Sequence, residues 1–272
     1  MRHMVFPRVI ATDLDGTLLG PKGLVSPRNR QALAAAADAG VKVVVSTGRP
    51  PRNTWHIASQ FTCAAVLCGN GALAHTFDGD PFVRPLSVET AGTVVEKLRG
   101  ALPDIGFGIE TGTDFFHEPD YVLEPWISRD WVSGVLDSTD ALLAHADPVA
   151  KLLVRSHGTP VHLLHEAAVE TVGALAEVTY SGGHGLLELS ASGVNKGSTL
   201  AMLCERWGVP AEEVAAFGDM PNDVSALTWA GMGYAMSSGH PDLLDPALGL
   251  LVAPASDDDG VARVVERLLA ER

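Results

Sequence analysis

The stretch Val9-Ile10-Ala11-Thr12-Asp13-Leu14-Asp15-Gly16-Thr17 ends an apolar run in two carboxylates one residue apart. Side chains alternate faces along a strand, so extended backbone would put Asp13 and Asp15 on one side and Leu14 on the other. Carboxylates that close repel each other and call for a cation between them or a proton on one of them. Three more polar clusters follow in the chain: Ser46-Thr47-Gly48-Arg49, Asn195-Lys196-Gly197 and Gly218-Asp219-Met220-Pro221-Asn222-Asp223. These residue types suit phosphoryl chemistry. Carboxylate oxygens hold a hard cation such as Mg²⁺. A carboxylate can attack phosphorus and form an aspartyl-phosphate. A hydroxyl, backbone N–H groups and a lysine can hold phosphoryl oxygens. A second carboxylate can protonate the leaving oxygen and later take a proton from water.

Positioning these groups requires strands that end at one edge. Residues 5–12 read as a buried strand, 41–45 as a second, 64–68 as a third and 214–217 as another, so most of the polar clusters follow an apolar strand. Between them, Ser26-Pro27 starts an Ala-rich helix, with serine as N-cap and proline at the first helical position. Residues 51–60 suggest another helix. Strand–helix–strand units with short joints predict a parallel sheet with right-handed crossovers, and ligands bind outside the carboxyl ends of such strands. The middle of the chain has a different character. Helices are expected over 88–99 and 159–177, and strands over 106–110, 114–117, 150–156, 178–181 and 186–190. The alternating pattern resumes near Gly185. The expected class is therefore α/β: a Rossmann-like parallel-sheet core formed by 1–82 and 186–272, interrupted by an α+β domain over 83–185.

In this order the motifs Asp-Leu-Asp-Gly-Thr, Ser-Thr-Gly-Arg, Asn-Lys-Gly and Gly-Asp-Met-Pro-Asn-Asp resemble those of the haloacid dehalogenase superfamily. With Asn70-Gly71-Ala72 after the third strand, they are similar to the Cof-type phosphatases, which carry a large cap between the second and third motifs. The resemblance implies a Mg²⁺-dependent phosphatase of small phosphorylated metabolites, above all sugar phosphates. It implies Asp13 as nucleophile and Asp15 as general acid and base, with the Asp15 backbone carbonyl on the metal. It places Lys196 opposite the phosphoryl charge, and Thr47, with Ser46 beside it, on the phosphoryl group together with Gly48, Asn70 and Asn222. Asp219 would bind the metal, and Asp223 would support the metal shell or Lys196. The cap would carry substrate specificity and close over the substrate.

The bulk composition narrows the classes. The chain has 272 residues, 46% hydrophobic, with a formal net charge of −14. Nucleic-acid binding draws on Lys and Arg to neutralise phosphates, so this balance argues against it. No stretch approaches the roughly 20 apolar residues of a membrane span, and residues 1–15 do not read as a signal peptide. Three cysteines, Cys63, Cys68 and Cys204, fit no zinc spacing and read as reduced thiols, consistent with a cytoplasmic protein. His162 and His165 share a helix without a third ligand. Trp126 and Trp131 read as core of the middle domain. Arg49 faces the site or pairs with an acid, and Glu188 reads as surface, supporting or substrate-contacting. Two other functions stay open: a phosphomutase that returns the phosphoryl group to its substrate, and a sugar-phosphate sensor without turnover.

Overall fold

The computed structural model describes residues 6–77, 79, 81–124, 129–146, 148–182 and 185–272. In chain order the elements are β1 (Val9–Thr12), α1 (Pro27–Asp38), β2 (Lys42–Ser46), α2 (Trp55–Ala58), β3 (Ala65–Cys68), β4 (Leu73–Thr76) and β5 (Phe82–Val83). Then come α3 (Val88–Ala101), β6 (Ile105–Glu110), β7 (Phe115–His117), β8 (Gly134–Val135), α4 (Thr139–Ala144), β9 (Lys151–Ser156), α5 (Val161–Val172), β10 (Ala176–Thr179) and β11 (Leu186–Ala191). The chain ends with α6 (Lys196–Arg206), β12 (Val214–Gly218), α7 (Val224–Trp229), β13 (Met232–Met236), β14 (Leu251–Ala253) and α8 (Gly260–Ala270).

Two compact units emerge, one formed by 1–49, 53–82 and 195–272, the other by 50–52 and 83–194. The first holds an eight-stranded sheet in the order β14-β13-β12-β1-β2-β3-β4-β5. From β14 to β3 every pairing is parallel, and β4 runs antiparallel to β3. Its central strands are buried on both faces, as α/β sheets require. Ile10, Val43, Val45 and Phe217 pack with α1 and α8. Their alternates Val9, Ala11, Val44 and Ala216 pack with α6 and α7 on the opposite face. The strands thus lie between two helical layers, and the parallel register pairs Thr12 with both Val45 and Phe217. Asp13, Thr47 and Asp219 consequently leave the sheet at the same edge.

The second unit is α+β. Its sheet runs β10-β11-β9-β6-β7-β8, antiparallel except for the β7–β8 pair. Helices α3, α4 and α5 accompany it, with α3 in contact with both others. Strand β11 pairs with β9 and β10, so residues 186–194 go with this sheet and not with the core, where the sequence reading put them from 186. Hydropathy looks alike for a strand in either sheet; only its hydrogen-bonding partners decide.

Local expectations shift elsewhere too. The helix expected over 159–177 stops at Val172, because Gly173 ends it and Ala176 already belongs to β10. Its buried stripe is Leu164, Ala168 and Val172, while Leu163 faces out. Residues 51–60 form two short turns of helix, not one continuous element. Ser26 does cap α1, its side chain accepting from the Asn29 N–H at 3.0 Å. The cysteines are free thiols, with Cys68 and Cys204 buried and Cys63 half-buried. Trp126 lies outside the described residues; Trp131 is exposed. Among the described residues no helix is long and apolar enough to cross a membrane.

Candidate active site

Strand β1 ends at Thr12, so Asp13 and Asp15 do not alternate along one strand. Asp13 keeps extended backbone and donates its N–H to Phe217 O at 3.0 Å. The chain then turns: Gly16 has φ +73° and Leu19 N–H returns to Leu14 O at 2.8 Å. That positive φ suits glycine, and the lack of a side chain matters as much. A Cβ on Gly16 would lie 2.2 Å from Asp219 Oδ2.

Four groups converge at the edge. The Lys196 ammonium, at the start of α6, donates to Asp13 Oδ1 at 2.9 Å and to Asp223 Oδ1 at 2.6 Å. Oxygens of Asp13, Asp219 and Asp223 lie within 4.8 Å of one another. Lys196 is 1% exposed. Its helix is anchored by Asn195, whose side chain accepts from the Ser198 N–H while Ser198 Oγ accepts from Asn195 N–H. Asp223 Oδ2 accepts from the backbone N–H groups of Asp219 and Met220, each at 3.0 Å, which fixes the turn after β12. Thr17 Oγ1 donates to Asp219 Oδ1 at 2.9 Å. Asp13 Oδ2 and Asp219 Oδ2 take no hydrogen bond among the described residues.

The electrostatics follow from burial. Burial pushes the Asp13 carboxyl well above the usual carboxylate range; the Lys196 charge opposes this, and Asp223 and Asp219 add to it. Burial, then Asp223, pushes Asp219 up to about 7 against the pull of Thr17 and Lys196. For Lys196, burial alone would favour the neutral amine, but Asp13 and Asp223 outweigh it and hold the proton more tightly than on a free lysine. Three carboxylates against one ammonium leave two negative charges uncompensated when all are ionised. A divalent cation answers that deficit. The donor set, all carboxylate oxygens with Oδ2 of Asp13 and Asp219 uncommitted, fits a hard ion such as Mg²⁺.

Asp15 stands apart from this cluster. Its side chain is 60% exposed and forms a two-pronged pair with Arg49: Nε to Oδ2 at 2.7 Å and Nη2 to Oδ1 at 2.5 Å. Of the two readings of Arg49, the structure shows pairing with an acid. Thr47 is buried, its Oγ1 accepting from the Arg49 N–H at 3.2 Å, while the buried Ser46 Oγ has no hydrogen-bond partner among the described residues. Gly48 follows Thr47 in the loop that leaves β2. Asn70, at φ +57°, accepts at Oδ1 from Asn222 Nδ2 at 3.0 Å, so the two amides meet across the loops after β3 and β12. Gly71 lets that loop approach α6; a Cβ there would stand 2.6 Å from Thr199 Oγ1. Glu188 is buried in the second unit as the ion-pair partner of Lys151, not at the surface. Sequence reasoning missed Thr17 as the partner of Asp219; the signal was its place at the end of Asp-Gly-Thr.

A family model of haloacid dehalogenase-like hydrolases matches residues 10–265. The chain belongs to that family. It is a Cof-type member and a phosphoric monoester hydrolase. It is 26% identical to the 5-amino-6-(5-phospho-D-ribitylamino)uracil phosphatase YwtE of Bacillus subtilis, over 97% of this chain and 98% of that protein. It is also 27% identical to a chloroplastic protein of Arabidopsis thaliana, endoribonuclease YBEY, over 95% of this chain but 46% of that longer protein. Among solved structures, the subclass IIB sugar phosphatase BT4131 superposes with TM-score 0.81 at 18% identity, over 97% of this chain and all of that one. This likeness shows the fold: a haloacid dehalogenase core with an inserted α+β unit.

Proposed function

We propose that this haloacid dehalogenase-like hydrolase is a Mg²⁺-dependent phosphatase of small phosphate monoesters, sugar phosphates among them, working through a phosphorylated Asp13. The reading is carried by the Lys196 ammonium held between Asp13 and Asp223 with Asp219 beside them. Asp13 Oδ2, free of hydrogen bonds among the described residues, attacks phosphorus, and the ester oxygen leaves with the bonding pair. Asp15 supplies that oxygen with a proton. Lys196 stays on Asp13 and offsets charge on the phosphoryl oxygens, helped by Thr47, the Gly48 N–H and the Asn70–Asn222 pair. Water then attacks the phosphoaspartate, Asp15 takes its proton, and phosphate leaves with the Asp13 carboxylate restored. Asp13 and Asp219, with Asp223 and the Asp15 carbonyl, would hold Mg²⁺, which when bound offsets the repulsion between the carboxylates and an anionic substrate. The choice among esters is assigned to the inserted unit, with its buried Lys151–Glu188 pair.

The test is release of inorganic phosphate from a panel of sugar, nucleotide and cofactor monophosphates, with Mg²⁺ or with EDTA, by the wild type and Asp13→Asn. Turnover should require Mg²⁺ and vanish in the variant, whose fold should persist because Asn keeps the shape of Asp13. Near-normal activity of Asp13→Asn would refute the nucleophile. A hexose 1-phosphate converted to its 6-isomer without free phosphate would mean a mutase, and binding without turnover a sensor.

A further inference from the structure

Asp15 is the one carboxylate of the proposed machinery that the Lys196 cluster does not hold. It lies in the turn after β1, its side chain is 60% exposed, and among the described residues its carboxyl has no partner but Arg49. An exposed carboxyl on a turn samples several rotamers unless something fixes it. Arg49 is itself built in. Its N–H donates to Thr47 Oγ1 at 3.2 Å, its carbonyl accepts from Gly69 N–H at 3.0 Å, and Nη1 reaches Asn53 O at 3.4 Å. The Arg49 backbone is thereby tied to the loops after β2 and β3, and its guanidinium to Asn53 O. A planar fork matched to a carboxylate fixes orientation as well as distance, which a lysine point charge does not. The pair also stands within electrostatic reach of the cluster, since Asp13 acts on Arg49 and Asp15 acts on Asp219.

We propose that Arg49 is the positioning residue of Asp15: its two-pronged grip sets where the proton carrier stands beside the Asp13–Lys196 cluster, and it influences turnover through Asp15 alone. This rests on the reading of Asp15 as the proton carrier. A mislaid catalytic group costs on the order of 10²-fold for about 1 Å.

The experiment is a double-mutant cycle with Arg49→Ala, Asp15→Asn and both together, plus Arg49→Lys. kcat and KM are measured with Mg²⁺ for an alkyl phosphate, whose leaving oxygen needs a proton, and for p-nitrophenyl phosphate, whose leaving group does not. Loss of general acid–base help in Asp15→Asn should lower kcat by about 10²–10⁴-fold for the alkyl ester. Arg49→Ala should lower it about 10–100-fold with KM within about threefold, and less for p-nitrophenyl phosphate. Arg49→Lys should recover part of the loss. The double variant should be no worse than Asp15→Asn. Multiplying losses in the double variant, or a raised KM at unchanged kcat, would overturn the proposal, because Arg49 would then act on the fold or the substrate directly. If Arg49→Ala does not fold, Arg49→Lys in the same cycle decides. A wild type inert toward every ester, or a fully active Asp15→Asn, would instead remove the phosphatase mechanism on which the proposal stands.

Discussion

Replacing Lys196 by methionine keeps length and volume but deletes the one positive charge inside the cluster. Lys196 is 1% exposed and bonds Asp13 at 2.9 Å and Asp223 at 2.6 Å, so burial limits the solvation of the charge it leaves behind. Removing one partner of a buried pair costs about 3–5 kcal/mol through the uncompensated charge that remains. With a shift of about 2–4 °C per kcal/mol for a domain of roughly this size, the metal-free variant should melt about 6–20 °C lower at pH 7. Burial already raises Asp13 against the pull of Lys196, and without the ammonium that rise is larger. A carboxyl raised in the folded state takes up protons before the unfolded chain does, so its penalty fades as pH falls toward the unfolded value near 4. The deficit of Lys196→Met should therefore shrink between pH 7 and 5, while the wild-type Lys196 stays charged throughout. The assay is thermal or denaturant unfolding of both proteins in EDTA across that range. A variant within about 1 kcal/mol of wild type at pH 7, or a deficit that does not shrink on acidification, would refute the claim that Lys196 neutralises buried carboxylates.

Other perturbations test neighbouring parts. Gly16→Ala places a methyl 2.2 Å from Asp219 Oδ2 at φ +73°, so calorimetric titration should show weakened Mg²⁺ binding, and unfolding should show a loss of about 1–3 kcal/mol. Asp219 is pushed up to about 7 in the metal-free protein, so metal must displace a proton below that pH. Mg²⁺ affinity should fall by at least about tenfold per pH unit as pH drops from 7 toward 5, with proton release on binding, because the raised Asp13 carboxyl must give up its proton too. Metal-free protein should conversely lose the Asp219 contribution to stability as pH rises from about 4 to 7, and added Mg²⁺ should restore it. Asn29→Ala would strand Leu18 O and the Ala262 N–H, both held by the buried Asn29 side chain at 3.0 Å, and should cost about 2–3 kcal/mol in chemical denaturation without changing Mg²⁺ affinity.

The sequence by itself determined the class of the protein and the sheet edge at which its polar clusters emerge. Apolar strands each ending in a polar cluster dictate a parallel sheet, because buried strands and surface helices must alternate, and parallel register then sends Asp13, Thr47 and Asp219 to the same end. Local chemistry was legible wherever a short motif sets its own geometry, as with the Ser26 cap. Tertiary structure decided what depends on partners distant in the chain. Asp15 leaves the strand and pairs with Arg49, 34 residues away, because glycine turns the backbone right after it. Asp223 spends its oxygens on Lys196 and two backbone N–H groups. Thr17 finds Asp219 across 202 residues. Strand β11 joins the inserted sheet because β9 and β10 offer it hydrogen bonds. Periodicity records which face of an element is apolar; it carries no information on which distant donor meets which acceptor, and that pairing holds the charges of this site in place.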